Sequence, residues 1–124
     1  MTTTATVLAG LIAVGLILVN VRAFRAPQAA AGFGIPDTPT DDPTFRAWLA
    51  VKAVRDLASG LFILVLIVAA QHQALGWFLL AATVIPIGDA VIVLRHNGPK
   101  AAVYGVHAPP AVVMPALGLL MLAA

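Results

Sequence analysis

PTFRAWLAVKAVRDLASGLFILVLIVAA, residues 43–70, is the stretch on which the fold turns. Its second half, Leu57 to Ala70, is apolar but falls short of the about 20 residues a helix needs to cross a hydrocarbon core of about 30 Å. A crossing helix must therefore reach back through Lys52, Arg55 and Asp56, which carries charge into the membrane. Its start is well marked, because Asp42 suits an N-cap and Pro43 suits the first helical position, where a missing N–H costs nothing. The helix is expected over Pro43 to Ala70, longer than a bilayer requires.

Outward from this stretch lie three simpler apolar runs, which predict helices over about 4–21, 75–94 and 103–122. The expected fold is all-α, a single-domain four-helix transmembrane bundle over residues 1–124. Gly10 and Gly15 are small enough for a neighbouring helix to approach the first run closely. Pro86, Pro109, Pro110 and Pro115 interrupt the last two, as membrane helices tolerate when neighbours satisfy the freed carbonyls. A hydrophobic content of 61% with 10% charged residues excludes a water-soluble reading. Seven Lys and Arg against five Asp is a surplus too small and scattered for nucleic acid. The absence of cysteine excludes disulfides and thiol chemistry. Met1 to Ala5 carries no Lys or Arg and no small-residue cleavage site follows, so the first run reads as a retained helix rather than a signal peptide.

Positive residues fall in the 22–42 connection and between the third and fourth helices, at Arg95 and Lys100, whereas Gln71 to Ala74 carries no formal charge. The positive-inside rule then puts 22–42 in the cytoplasm and both termini on the extracytoplasmic side. The expected location is a bacterial inner (plasma) membrane, multi-pass.

Four ionisable residues converge in depth. At 1.5 Å per residue, Asp56 lies roughly 21 Å from Ala70, which leaves it and Arg55 about 8 Å inside the cytoplasmic boundary. Asp89 precedes Arg95 by six residues and His107 follows Lys100 by seven, giving similar depths. Ionisable groups at such depth face the bundle interior, pair with one another and mark proton or substrate paths. Asp56, Asp89, His107 and Arg55 are therefore the candidate catalytic residues, and Tyr104, Ser59, Trp48, Asn20 and Phe33 the candidate substrate contacts. The 22–42 connection, holding Gly32-Phe33-Gly34-Ile35-Pro36, is the only one long enough to form a lid over the cluster.

Plainer readings stand beside these. Arg55 with Asp89, or Lys52 with Asp56, would serve as buried ion pairs that fix helix register. Lys52 would snorkel to the interface. His107 would donate one hydrogen bond to a carbonyl freed by proline, and His72 and His96 would be solvated in turns. Trp48 and Trp77 suit interfacial anchors. The glycines of the loop serve turns, since no phosphate-loop Lys and Ser or Thr follow. Two carboxylates and one imidazole invite a metal, but Arg55 beside Asp56 repels a cation, so no metal and no cofactor are expected.

Gly32-Phe33-Gly34-Ile35-Pro36, Arg55-Asp56 with Gly60, Pro86 with Asp89, and His107 give the chain its likeness to known sequences. It resembles an uncharacterised family of small four-helix integral membrane proteins from bacteria and fungi, a domain of unknown function. The resemblance covers nearly the whole chain and implies the fold, with no established activity.

The polar layer points to an intramembrane acid–base enzyme of the isomerase, cyclase or epimerase type, acting on a hydrophobic small molecule near the cytoplasmic leaflet. Asp56 or Asp89 would give or take the proton, Arg55 would hold the other carboxylate or an oxyanion, and His107 with Tyr104 would relay. The alternatives are a proton-coupled small-molecule transporter, disfavoured by a first helix without acidic residues, and a structural membrane subunit. The expected partners are the hydrophobic substrate and the lipid bilayer, with no nucleic acid and a homo-oligomer left open.

Overall fold

The computed structural model describes residues 2–124, so Met1 lies outside the described residues. Helix α1 spans Thr2–Arg25 and is followed by a 3-10 segment, Pro27–Phe33. Then come α2 (Pro43–Val68), α3 (His72–Ala82), α4 (Val84–Arg95), the short α5 (Lys100–Ala102), a π turn (Val103–His107) and α6 (Ala108–Leu122). The fold of the described residues is all-α.

Three stretches are long and apolar enough to cross a membrane: Thr3–Arg25, His72–Arg95 and Lys100–Leu122, with mean hydropathies of 2.3, 2.1 and 1.6. Three apolar helices of this length make the chain a membrane protein. This is a narrower result than four equivalent spans. Helix α2 has the length, but its last 18 residues include Lys52, Arg55 and Asp56, so it lacks an uninterrupted apolar stretch.

Local chemistry sets where the helices begin and bend. Asp42 caps α2, its carboxylate accepting from the Phe45 N–H at 2.7 Å, with Pro43 at the first helical position. Helices α3 and α4 meet at Thr83, three residues before Pro86, which cannot donate a backbone bond. The Thr83 hydroxyl turns back to donate to the Leu79 carbonyl at 2.8 Å. Pro109 and Pro110 likewise remove two donors in succession, and the chain answers with a wider turn in which the Ala108 N–H donates to the Val103 carbonyl, five residues back.

Small residues decide the packing. Helix α1 lies most extensively against α2, and α3 against α6. Ala5, Ala9 and Ala13 form the buried seam of α1, where a Cβ on Gly60 of α2 would come within 3.0 Å of the Ala13 carbonyl. Gly76 and Gly118 do the same for α3 and α6: a Cβ on Gly118 would stand 2.8 Å from the Gly76 carbonyl oxygen. Close approach of backbones is how apolar helices gain packing energy in lipid. Gly10 and Gly15, expected to play this part, do not; a Cβ on Gly15 would meet nothing within 4 Å. Ile63, Leu66, Leu75, Leu79, Met114, Leu117 and Met121 complete a solid core around the turn between α2 and α3.

At the opposite end the 26–42 connection folds across the bundle. Gly34 closes the 3-10 segment in the left-handed region, φ 105°. Its carbonyl lies so close to Gly98, in the turn after α4, that a Cβ there would clash with it. The two glycines dock the connection on the α4–α5 turn.

Candidate functional site

The rotation of α2 is fixed by Ala53 and Gly60, which are buried on the same face. At about 100° per residue, Lys52, Asp56, Ser59 and Ile63 then share a neighbouring face turned into the bundle. All four line a cavity of about 350 Å³. Helix α1 contributes Ile12, Leu16 and Asn20, helix α3 Phe78 and Ala82, helix α4 Pro86 and Asp89, and the last helix His107, Pro110 and Met114. Phe33, from the connection, covers the polar end. Helix α2 meets α3 near their shared turn but scarcely touches α4, so the bundle opens there. Phe62 and Phe78 close the lower edge of that gap edge to face, 5.0 Å between ring centres.

The polar end is organised by two local pairings. Lys52 is bonded to Asp56 within α2, one turn on, and its ammonium sits 5.4 Å from the centre of the Phe33 ring. An ammonium over an aromatic face is favourable by about 0.5–1 kcal/mol at exposed sites. His107 is 4% exposed, and its Nε2–H donates to the Phe33 carbonyl at 2.8 Å while the two rings meet edge to face at 4.5 Å. The π turn aims His107 this way. Asn20, also buried, donates from Nδ2 to the Leu16 carbonyl at 2.8 Å.

Asp89 is different. Its carboxylate is half-buried on the cavity wall and, among the described residues, accepts no hydrogen bond and forms no ion pair. Lys52, His107 and Asp56 lie close enough to act on it electrostatically. The cavity it lines is largely apolar, with Ile85 and Pro86 one turn before it on α4.

The structure therefore brings Asp56, Asp89, His107, Ser59, Asn20 and Phe33 to one cavity. Arg55, Tyr104 and Trp48 are not among its lining residues. Arg55 is exposed, roughly 150° around α2 from the seam with α1. Its expected pairing with a carboxylate of another helix is replaced by the Lys52–Asp56 pair within α2. Trp48, two turns earlier on the same outer stripe, is 68% exposed. Tyr104 is 69% exposed, because the π turn carries about one residue more than an α turn and swings it off the His107 face. Two plainer readings also change. Lys52 reaches the cavity rather than only the interface, and the carbonyl that receives His107 belongs to the connection rather than to a proline-broken helix. His72 keeps a buried Nδ1 without a partner among the described residues, whereas His96 bonds the Ile92 carbonyl at 2.9 Å.

Sequence reading leaves out the apolar end of the cavity, above all Phe78 and Met114, since nothing in an apolar run separates a cavity-lining residue from a lipid-facing one. Among the described residues no group of three His or Asp side chains is placed to hold a metal ion.

A family model described as "Domain of unknown function (DUF4267)" matches residues 9–121, and the chain belongs to that family. No curated protein and no solved structure matches the chain.

Proposed function

We propose that the chain is an intramembrane acid–base enzyme, of the isomerase, cyclase or epimerase type, acting on a hydrophobic small molecule in the cavity between α1, α2, α4 and α6. One observation carries this reading: Asp89 lines a largely apolar cavity with no hydrogen-bond or ion-pair partner among the described residues, while the neighbouring Asp56 is held by Lys52. Two carboxylates in unlike settings are how one site separates a proton-exchanging group from a fixed charge. Asp89 gives or takes the proton, and Asp56 with Lys52 holds the local field. The Nε2–H of His107 is engaged by the Phe33 carbonyl, which leaves Nδ1 as the ring nitrogen for a proton relay. The role first given to Arg55 passes to Lys52.

In this reading α2 is a fourth crossing, its charged turn kept at the cavity and the membrane boundary, and both termini are extracytoplasmic. Five of the seven Lys and Arg, namely Arg22, Arg25, Arg46, Arg95 and Lys100, fall at helix ends away from the α2–α3 turn, Lys52 and Arg55 lie within α2, and none is near that turn. That asymmetry supports a cytoplasmic 26–42 connection. A cysteine replacing Asp37 should stay unlabelled by an impermeant thiol reagent in intact cells; efficient labelling would invert the orientation.

Proton chemistry at carbon leaves a record in heavy water. Membranes containing the protein, incubated in D2O and extracted, should yield a hydrophobic molecule that gains deuterium relative to membranes without it. Absence of any protein-dependent deuterium gain or new product in the extract would contradict acid–base chemistry on a membrane-soluble substrate.

A further inference from the structure

We infer that the cavity takes a single-chain amphiphile of about a dozen heavy atoms with a protonated amine head. The inference rests on the proposed function only in taking this cavity as the ligand site. Size is the first constraint. At roughly 30 Å³ per water-sized group, the 350 Å³ between the helices holds about a dozen heavy atoms, room for one chain. The walls divide lengthwise. Ile63, Phe78 and Met114 line the end towards the solid core, and Asn20, Asp89 and His107 the end beneath Phe33. A ligand matching both ends has an apolar tail and one polar head.

The head is defined by what the polar end leaves unsatisfied. His107 uses Nε2–H on the Phe33 carbonyl, so the Nδ1 of the neutral ring is an acceptor. Asn20 uses Nδ2 on the Leu16 carbonyl, so its Oδ1 is an acceptor without a donor. Among the described residues the only sealed, unpartnered side-chain nitrogen or oxygen is on His72. The free atoms of Asn20 and His107, residues 6% and 4% exposed, therefore open onto the cavity they line. The Asp89 carboxylate is a third acceptor. Among the described residues the wall carries two carboxylates, Asp56 and Asp89, against one ammonium, Lys52, which is bonded to Asp56. Three acceptors and one surplus negative charge select a head that donates hydrogen bonds and is positive. A carboxylate head meets the opposite of what it needs.

The test is competitive native mass spectrometry of the detergent-solubilised full chain with decylamine, 1-decanol and decanoate at equal concentration. Decylamine should bind most tightly and decanoate least, separated by at least about tenfold, as expected of charge-assisted hydrogen bonds. Asp89→Asn should remove most of the advantage of the amine over the alcohol. Ala82→Leu, which fills the apolar end, should weaken the amine and the alcohol alike. Binding of decanoate as tight as decylamine would overturn the head-group inference and leave the cavity as a ligand site. Binding unaffected by Ala82→Leu would place the probes elsewhere and overturn it too. Failure of all three probes to bind would remove both this inference and the proposed function's site. The wild-type ranking decides the matter even where Asp89→Asn does not fold.

Discussion

The two ends of this bundle are built from the same helices and obey opposite rules. Around the α2–α3 turn, Gly76, Gly118 and the start of the alanine seam of α1 bring backbones together, and no charged side chain intervenes. Around the cavity, Pro86, the Pro109–Pro110 pair and the charged turn of α2 hold the helices apart, and the space is lined by polar groups that the packed end excludes. A chain of this size cannot obtain both rigidity and room from one packing scheme. The packed end supplies the fixed frame against which Asp89 and His107 are held, which is what a site needs from its scaffold.

The largest expected effect belongs to the packed end. Gly118→Leu would drive a side chain into the Gly76 carbonyl and Leu80, and overpacking of this kind costs about 1–3 kcal/mol or more. Its thermal unfolding in detergent should fall well below that of the wild type. Gly15→Leu, on the cavity wall where an added Cβ meets nothing, should unfold close to the wild type while reducing ligand occupancy. Equal losses of stability in the two variants would erase the distinction between the ends.

A middle-sized effect is expected where the connection is fastened. His107→Ala removes one buried hydrogen bond to Phe33, of the order of 1 kcal/mol, and the edge-to-face ring contact. The π turn should survive, because the two prolines that cause it remain. Limited proteolysis within 27–42 should then accelerate with little change in helix content; an unchanged cleavage rate would mean that the connection is held by its glycine contact with the α4–α5 turn alone.

The smallest effect is expected outside both regions. Arg55→Gln should change stability by no more than about 0.5 kcal/mol and leave ligand binding as it was, since Arg55 is exposed and makes no ion pair among the described residues. Loss of binding in this variant would return Arg55 to the site from which the structure removes it.

These differences track what a sequence can carry. Apolar runs, the Asp42-Pro43 start and the depth of Asp56, Asp89 and His107 are properties of a helix by itself, readable from residue spacing. The rotation of α2 is not, because it depends on which small residues its neighbour happens to meet. Arg55 and Asp56 are adjacent in sequence, and what separates their faces is the burial of Ala53 and Gly60, the latter against α1. Pro109-Pro110 announced a disturbance in the last helix, but an i→i+5 turn changes which residues share a face, and Tyr104 was lost from the site for that reason. The shortfall of α2 as an apolar span was visible in Lys52, Arg55 and Asp56, and it is the same feature that supplies the polar wall.

The proposed chemistry rests on Asp89, and the most direct measurement sets the stability of its amide variant against its turnover. Asp89→Asn keeps nearly the same shape and removes the ionisable carboxylate, which makes no hydrogen bond or ion pair among the described residues for the fold to lose. Thermal unfolding of the variant should match or exceed that of the wild type, while protein-dependent deuterium incorporation from D2O into the extracted hydrophobic molecule should drop by at least about a hundredfold, the usual scale for a general acid or base. A folded Asp89→Asn protein that exchanges deuterium at the wild-type rate would contradict the central claim.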